Sequence, residues 1–542
     1  MWVGALALLA ALLLVGIGAA PLIDRDEPAY AEAAREMLAR HDWVATWFND
    51  QPWFDKPPLV FWAAMVSYSA LGVNETAARL PVALFGIGGV LAVYWLGRRL
   101  RGARAGALSA GILATSLLYL GLSRAVLLDV PFTACFTLAM GALVASLREP
   151  QRARWPLLAG AALGLAVLAK SPAAVVLFAI ILAAAAVPRR SPARVRPLRW
   201  TLTALACLAV VAPWYAAMAV RFPHTFLSQF LVAGNLGRFA RAEHSRSMAP
   251  YYYLPIIIAG FLPWTAMLPG ALRAAWRERR GASIPLWWAA LTFIFFSVAQ
   301  SKLPGYILPA FPALALLVGL NLDRRIEGRD DNAFYRDVCW AAGLTLFFAA
   351  AGLTYAMMKQ PQYVLGAPVL ACLAGLPLAL GMWRQGRAAA AAAWTAALVV
   401  IVAAIAGYGL LPAAAQGNTC KELAQRIGGQ GPPRRIYLVN ANPLDDPSLL
   451  FYTRQPVIPL SPVHIPPPRP GDAFVVEGTM PPYWYALVGA HGGAPLRRRV
   501  AAEGRLSLWL RAPMPQRAPP HLPAGREKAV ISPPGGPPAN PT

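Results

Sequence analysis

Residues 24–58 read DRDEPAYAEAAREMLARHDWVATWFNDQPWFDKPP, a charged stretch set between two hydrophobic spans. Asp24, Asp26 and Glu27 open it, and Asp55 with Lys56 close it just before a Pro-Pro pair. Between them, Tyr30, Ala33, Ala34, Met37 and Leu38 fall at i, i+3, i+4, i+7 and i+8. They form one apolar helical face, with Glu32, Arg35, Glu36 and Arg40 on the other. Pro28 suits the first turn of such a helix, and the preceding acids suit the positive end of its dipole. The pattern predicts a short amphipathic helix lying on a membrane surface between two acidic clusters. A solvated loop is the bland alternative, and the continuous apolar face argues against it.

Outward from this stretch, the composition is that of a membrane protein. The chain has 542 residues, 57% hydrophobic and 14% charged, against about 25% charged in soluble domains. The net charge of +24 lies in short arginine clusters between hydrophobic spans, which excludes nucleic acid as its reason. The five cysteines, Cys135, Cys207, Cys339, Cys372 and Cys420, have no paired spacing, which excludes a disulfide framework and a CxxC metal site.

Apolar runs predict about thirteen transmembrane helices. They lie near 2–22, 79–97, 105–122, 131–147, 157–170, 173–187, 200–220, 251–270, 283–300, 306–321, 338–358, 364–382 and 388–412. The first resembles a signal peptide in length, but it lacks a basic start and is read as an uncleaved span. Arginine clusters follow every second span, at 98–104, 148–154, 189–199, 273–280, 324–329 and 384–387. By the positive-inside rule these loops face the cytoplasm, so the first loop, 23–78, faces outward. After Pro412 the pattern changes. Strands are predicted at 435–440, 473–476 and 506–510, and a helix at 421–427. The expected organisation is a transmembrane domain over 1–412, a small outer α/β domain over 413–511 and a disordered Pro-rich tail over 512–542.

Ionisable residues collect on the predicted outer side: Asp26, Glu27, Asp55, Lys56, Arg124, Asp129, Lys170, His244, Arg246, Lys302 and Tyr306. Charge at membrane depth is costly and marks function more often than not. Acids beside Lys and Arg suit a reaction that needs a proton acceptor and a stabilised phosphate. Singly, each has a bland reading. Asp129 can pair with Arg124, Lys170 and Lys302 can snorkel, His244 can be a surface histidine, and Asp55 with Lys56 can be a solvated pair. Their shared sidedness weighs against all of these together.

The motifs DEPAYAEAAREML, FNDQPWFDKPPLVFW and NETAARLP resemble the opening of the polyprenyl-phosphate-dependent sugar transferases of GT-C type. That superfamily includes the lipid A aminoarabinose transferases and the protein O-mannosyltransferases. The likeness runs on through SRAVLLDVPFT, LAKSP, APWY, EHSRSMAPYYYLPIIIAGFLPWT and SKLPGYILPAFPALALLVG, covering roughly 1–320. It is greatest to the aminoarabinose branch, whose thirteen helices and outer C-terminal domain agree with the topology read above.

The resemblance implies a catalytic aspartate at Asp26 with Glu27 beside it, and a second acid at Asp129. It implies a lipid-phosphate lysine at Lys56, helped by Lys170, Lys302, Tyr306 and Arg246. It also implies a divalent metal (zinc, magnesium or manganese) on Asp55 and His244. The chain departs from the usual DExRYAE by having Ala29 in place of arginine, so that phosphate contact is absent or comes from Arg25 or Arg246. The implied protein is a multi-pass inner-membrane glycosyltransferase, inverting, with its site on the periplasmic face. Its partners are a polyprenyl-phosphate sugar donor and a lipid A-like glycolipid acceptor. Transfer to protein Ser/Thr hydroxyls and transport of the lipid-linked sugar are the alternatives, and the absence of an internal repeat speaks against transport.

Overall fold

The computed structural model describes residues 11, 13–23, 26–186, 197–230, 249–278, 283–328, 386, 420–428, 433, 435–461, 472–477, 495–499 and 506–511. Among these, four helices are long and apolar enough to cross a membrane: Glu75–Arg101, Asp129–Arg148, Arg199–Arg221 and Pro304–Gly328. Each contains one predicted span. The spans predicted near 157–170, 173–187 and 283–300 are shorter apolar helices, Arg154–Ala169, Ala173–Ala184 and Ile284–Val298. Those near 338–358, 364–382 and 388–412, and most of 2–22, lie outside the described residues, as does the tail over 512–542.

Two predicted spans are not single helices. The run 105–122 breaks at Ser116, whose backbone is extended, into Ala103–Thr115 and Leu117–Leu122. Leu117 N–H instead donates to the carbonyl of Leu262, and the Trp264 indole to the Thr115 hydroxyl. The run 251–270 is likewise bent, by 109°, between Tyr253–Gly260 and Trp264–Arg277. Hydropathy marks both runs as apolar because it averages composition, and the breaks are tolerated inside the bundle because the two bends meet each other's polar groups.

Among the described residues, the arginine-bearing ends of the Glu75–Arg101, Asp129–Arg148 and Pro304–Gly328 helices gather at one end of the bundle. Arg99 pairs with Glu149 at 2.6 Å, and Arg101 with Asp323 at 2.8 Å, while Arg104 also grips Asp323. Arg148 closes this end of the Asp129–Arg148 helix and Asp129 begins it, about 30 Å away at 1.5 Å per residue.

At the far end the first loop forms the predicted helix, Asp26–Ala39, but it does not lie on a surface. Its apolar face is buried as expected (Tyr30, Ala33, Ala34, Met37), yet Glu32 and Glu36 are buried too. Glu32 takes a two-pronged contact from Arg35, both bonds 2.7 Å. Glu36 accepts from the backbone N–H of Asn49 and Asp50 at 2.6 and 3.0 Å. The amphipathic reading is corrected here: the two acids of the polar face are covered by the protein and have internal partners, while Arg40 at the end of that face stays exposed. A 13-residue apolar helix, Leu59–Leu71, follows within the same loop. At about 20 Å it is too short to span. It packs back on the first helix, with the Tyr68 hydroxyl donating to the Ala31 carbonyl.

The first loop holds two short strands, β1 (Trp47–Phe48) and β2 (Gln51–Pro52), and the C-terminal residues form a five-stranded sheet whose strands, numbered onward from these, run in the order β4-β3-β5-β7-β6. The strands are β3 (Arg435–Val439), β4 (Val457–Leu460), β5 (Asp472–Glu477), β6 (Pro495–Arg499) and β7 (Leu506–Arg511). β3 pairs in parallel with β4 and β5, and β7 is antiparallel to β5 and β6. β3 is buried on both faces, as its unbroken apolar run implies. The Ser448–Thr453 helix makes the crossover from β3 to β4. The helix Lys421–Gly428 and strands β3, β5 and β7 agree with expectation; β4, β6 and the crossover helix were not predicted.

Burial pushes the Glu32 carboxyl up to about 7 from 4.5, against the pull of Arg35. An acid raised in the fold holds its proton more tightly there than in the unfolded chain. Stability therefore falls as pH rises from about 4.5 to about 7. The thermal midpoint of the detergent-solubilised protein is expected to drop across that window, and Glu32→Gln to flatten the drop.

Candidate functional site

Glu27 and Arg79 set the frame. The carboxylate of Glu27 takes the Arg79 guanidinium at 2.7 and 2.9 Å and the backbone N–H of Ile23 and Val126, each at 3.0 Å. Arg79 also donates to the carbonyls of Ile17, Ala20 and Pro21 at 2.6–2.9 Å. Both side chains are about 95% buried (5% and 6% exposed). With four donors on its two oxygens, Glu27 holds the first span, the first loop and the 123–128 turn together. Sequence reading placed Glu27 beside the catalytic aspartate and passed over Arg79. The signal was present, because Arg79 stands one turn inside an apolar helix where a lone cation is costly.

The 123–128 turn delivers Asp129 to the first turn of its helix, where the dipole favours an acid. Lys170 sits where the Arg154–Ala169 helix ends, ahead of Ser171-Pro172. Its ammonium meets Asp129 Oδ1 at 2.5 Å, with both side chains only 14–16% exposed. It also lies 4.2 Å from the centre of the Tyr306 ring, a cation–π contact. Lys170 is therefore committed within the bundle rather than snorkelling. Gly305 closes on the same carboxylate: a Cβ there would stand 2.7 Å from Asp129 Cγ. Three segments far apart in sequence thus meet at one acid.

Asp55 and Lys56 pair at 3.1 Å, both mostly buried (15% and 13% exposed), which replaces the solvated-pair reading. Lys302 is 2% exposed and donates to the Ala299 carbonyl. Asp26 begins the first-loop helix and is exposed. One turn on, Tyr30 is the centre that ties these groups together, and sequence reading took it only as part of an apolar face. Its ring stacks on Trp53, centroids 5.9 Å apart, and tilts against Phe61 at 6.1 Å. Its phenol is held well above the ordinary value by burial first, then by the charge of Asp55, Asp26, Tyr306 and Asp129. Asp26, Asp55, Asp129 and Tyr306 thus all bear on one neutral phenol, and Lys56 and Lys170 join them through their pairs with Asp55 and Asp129. Position i+4 from Asp26 was the available signal.

His244, Arg246 and Arg25 lie outside the described residues. Among the described residues, no three His, Cys, Asp or Glu side chains form a group able to hold a metal. Asp55, the described half of the expected metal pair, has Lys56 against both its oxygens. The described donors do not make a metal site.

A family model for dolichyl-phosphate-mannose-protein mannosyltransferase matches residues 55–216. The chain is 34% identical over 325 residues to an undecaprenyl phosphate-alpha-4-amino-4-deoxy-L-arabinose arabinosyl transferase of Edwardsiella ictaluri, covering 57% of this chain and 56% of the relative. It is 33% identical over 408 residues to the protein of the same name from Pseudomonas aeruginosa, covering 72% and 71%. The match spans little more than half the length of the Edwardsiella relative, and 54% of that from Erwinia tasmaniensis. In three dimensions the chain is similar to ArnT from Cupriavidus metallidurans bound to undecaprenyl phosphate, with a TM-score of 0.76 at 23% identity, over 94% of this chain and 97% of that one. It is more distantly similar to the archaeal oligosaccharyltransferase AglB from Archaeoglobus fulgidus, with a TM-score of 0.52 at 13% identity, over 94% and 74%. These likenesses establish the GT-C fold.

Arg79→Ala leaves Glu27 buried without its partner, at a cost of about 3–5 kcal/mol. The variant is expected to lose its monodisperse peak in size exclusion, or to melt well below the wild type.

Proposed function

The chain belongs to the family of the undecaprenyl phosphate-alpha-4-amino-4-deoxy-L-arabinose arabinosyl transferases, and from that premise we propose that it is an inverting glycosyltransferase of the bacterial inner membrane. It would move a pentose or hexose, 4-amino-4-deoxy-L-arabinose by the relatives' name, from undecaprenyl phosphate to a lipid A-like glycolipid. The observation that carries this reading is the Asp129–Lys170 pair under Tyr306, at the same end of the bundle as Asp26, Asp55 and Lys56. Thirteen helices, an outer domain over 413–511, a Pro-rich tail and a periplasmic site belong to the same proposal.

In the reaction, an acceptor oxygen bonds to the anomeric carbon from the side opposite the carrier. The carbon–oxygen bond to the phosphate breaks, and its electron pair leaves on the phosphate. Lys56, with Lys170, Lys302, Arg246 and Tyr306, would meet that developing charge. Preorganised donors of this kind are each worth about 10²–10³ in rate. Tyr30, held neutral, can serve as a hydrogen-bond donor and not as a base. An ionised glycolipid phosphate has no proton to lose, so Asp26, with Glu27 fixing its helix, would pair with the ammonium of the aminosugar, and Asp129 would hold Lys170 in place. If the acceptor is instead a hydroxyl, Asp26 is the general base. A divalent metal (zinc, magnesium or manganese) that Asp55 and His244 would hold belongs to the same proposal.

Purified protein given radiolabelled polyprenyl-phosphate sugars, with envelope lipid and protein as acceptors, tests the reading. Label is expected in the lipid fraction, reduced about 10²–10³-fold in Asp26→Asn and Lys56→Ala. Label in protein would turn the reading to O-glycosyl transfer, and transbilayer movement without product would turn it to a transporter. Activity that survives chelation would remove the metal. Gly305→Ala is expected to fold normally and to lose about 10–100-fold in kcat, because the new methyl displaces Asp129 from Lys170.

A further inference from the structure

β4 is one of the two edge strands of the C-terminal sheet, and one side chain of the first loop is bonded to it. Asn49 Oδ1 accepts from the Val457 N–H at 2.8 Å, and Asn49 Nδ2 donates to the Val457 carbonyl at 3.0 Å. The amide thus satisfies both backbone groups of one edge residue, as a neighbouring strand would.

Asn49 is held ready for this. It and Asp50 are the two central residues of the hairpin that joins β1 (Trp47–Phe48) to β2 (Gln51–Pro52), with φ of 53° and 61°. Two positive φ values are the signature of a tight hairpin turn, and Asn is among the residues that accept them. Glu36 caps the same two N–H groups. The returning strand places the Trp53 N–H on the Thr46 carbonyl at 2.8 Å. The Trp53 ring then stands between Phe48, at 5.3 Å, and Tyr30. Asp55 and Lys56 follow directly.

The same C-terminal unit reaches the chain just before Asp26. The Tyr452 hydroxyl accepts from the Leu22 N–H at 2.8 Å and donates to Glu75 at 3.1 Å, and Lys421 grips Glu75 as well. Ala29, Phe48 and Trp53 share an apolar cluster with Leu450 and Val457. The contacts of the sheet therefore fall on either side of Asp26 and just ahead of Asp55–Lys56.

We infer that the C-terminal sheet is a positioning unit for the first loop, and that Asn49 is the positioning residue through which it sets the place of Asp55 and Lys56. Its catalytic consequence rests on the transferase reading above; the clasp itself does not. The variant of choice is Asn49→Gly, since glycine takes the left-handed turn without strain while both clasp bonds vanish. Gln51→Ala, on the exposed side of the same hairpin, is the control.

Full-length wild type and variants are compared by hydrogen–deuterium exchange and by steady-state transfer. In Asn49→Gly, exchange over 53–56 is expected to quicken while the Asp129–Arg148 helix is unchanged. Over the same comparison kcat should fall about 10–100-fold at unchanged donor KM, with Gln51→Ala like wild type. Unchanged exchange over 53–56 would overturn the clasp. Faster exchange with unchanged kcat would overturn its positioning role. A wild type that transfers no sugar would overturn the transferase reading, and the exchange comparison would still decide whether Asn49 holds 53–56.

Discussion

Everything at the functional end of this protein hangs on a buried ion pair. Glu27 and Arg79 are both almost wholly removed from water, at a desolvation cost of several kcal/mol per ion. Their attraction alone does not repay that cost; the extra hydrogen bonds do. Glu27 takes two backbone N–H groups, and Arg79 takes three carbonyls where the first span ends. Those groups would otherwise be unsatisfied in a place where water is scarce. One pair therefore ties the exit of the first span, the start of the first-loop helix and the turn ahead of Asp129. The geometry between Asp26 and Asp129 follows from it.

The same logic governs the first-loop helix. A row of Glu and Arg facing outward is stable in water, but here its two acids, Glu32 and Glu36, face protein. Glu32 is matched by Arg35 one turn on, and Glu36 is spent on the N–H groups of the Asn49–Asp50 turn. The hairpin then carries the C-terminal sheet, so a helix that looks amphipathic is enclosed. Ala29 fits this enclosure: it packs with Phe48 and residues of the C-terminal unit. A small apolar side chain is what that contact needs, whereas the arginine common in the resembling motif would bring a charge into it.

At the site the charges balance before any substrate arrives. Asp129 neutralises Lys170 and Asp55 neutralises Lys56, so the burial of each cation is tolerable. A phosphate can compete for those lysines because it offers more acceptor oxygens and a comparable charge. Tyr30 stays a neutral donor because burial, the carboxylates of Asp55, Asp26 and Asp129, and Tyr306 all oppose its ionisation.

Much of this was legible in the residues themselves. Hydropathy placed the four long spans, the arginines at the end of the Glu75–Arg101 helix marked one end of the bundle, and the motifs that hold Asp26, Asp55, Lys56, Asp129 and Lys170 pointed to the acids and lysines near Tyr30. Three elements escaped, each for a physical reason. The breaks at Ser116 and between Tyr253–Gly260 and Trp264–Arg277 meet across the fold; the second falls at Pro263, a helix breaker that mean hydropathy does not weigh. β4 is a short strand containing a proline, and it becomes a strand only through parallel pairing with β3 and the amide of Asn49. Arg79 reads as the edge of a span until its five acceptor contacts are seen. The sequence by itself determined which segments are apolar, which end is basic and which residue types the site holds, because those depend on composition and local periodicity. Only the tertiary structure decided that Asp129 meets Lys170 and Glu27 meets Arg79, since long-range pairing depends on where separate helices end, and no local pattern encodes that.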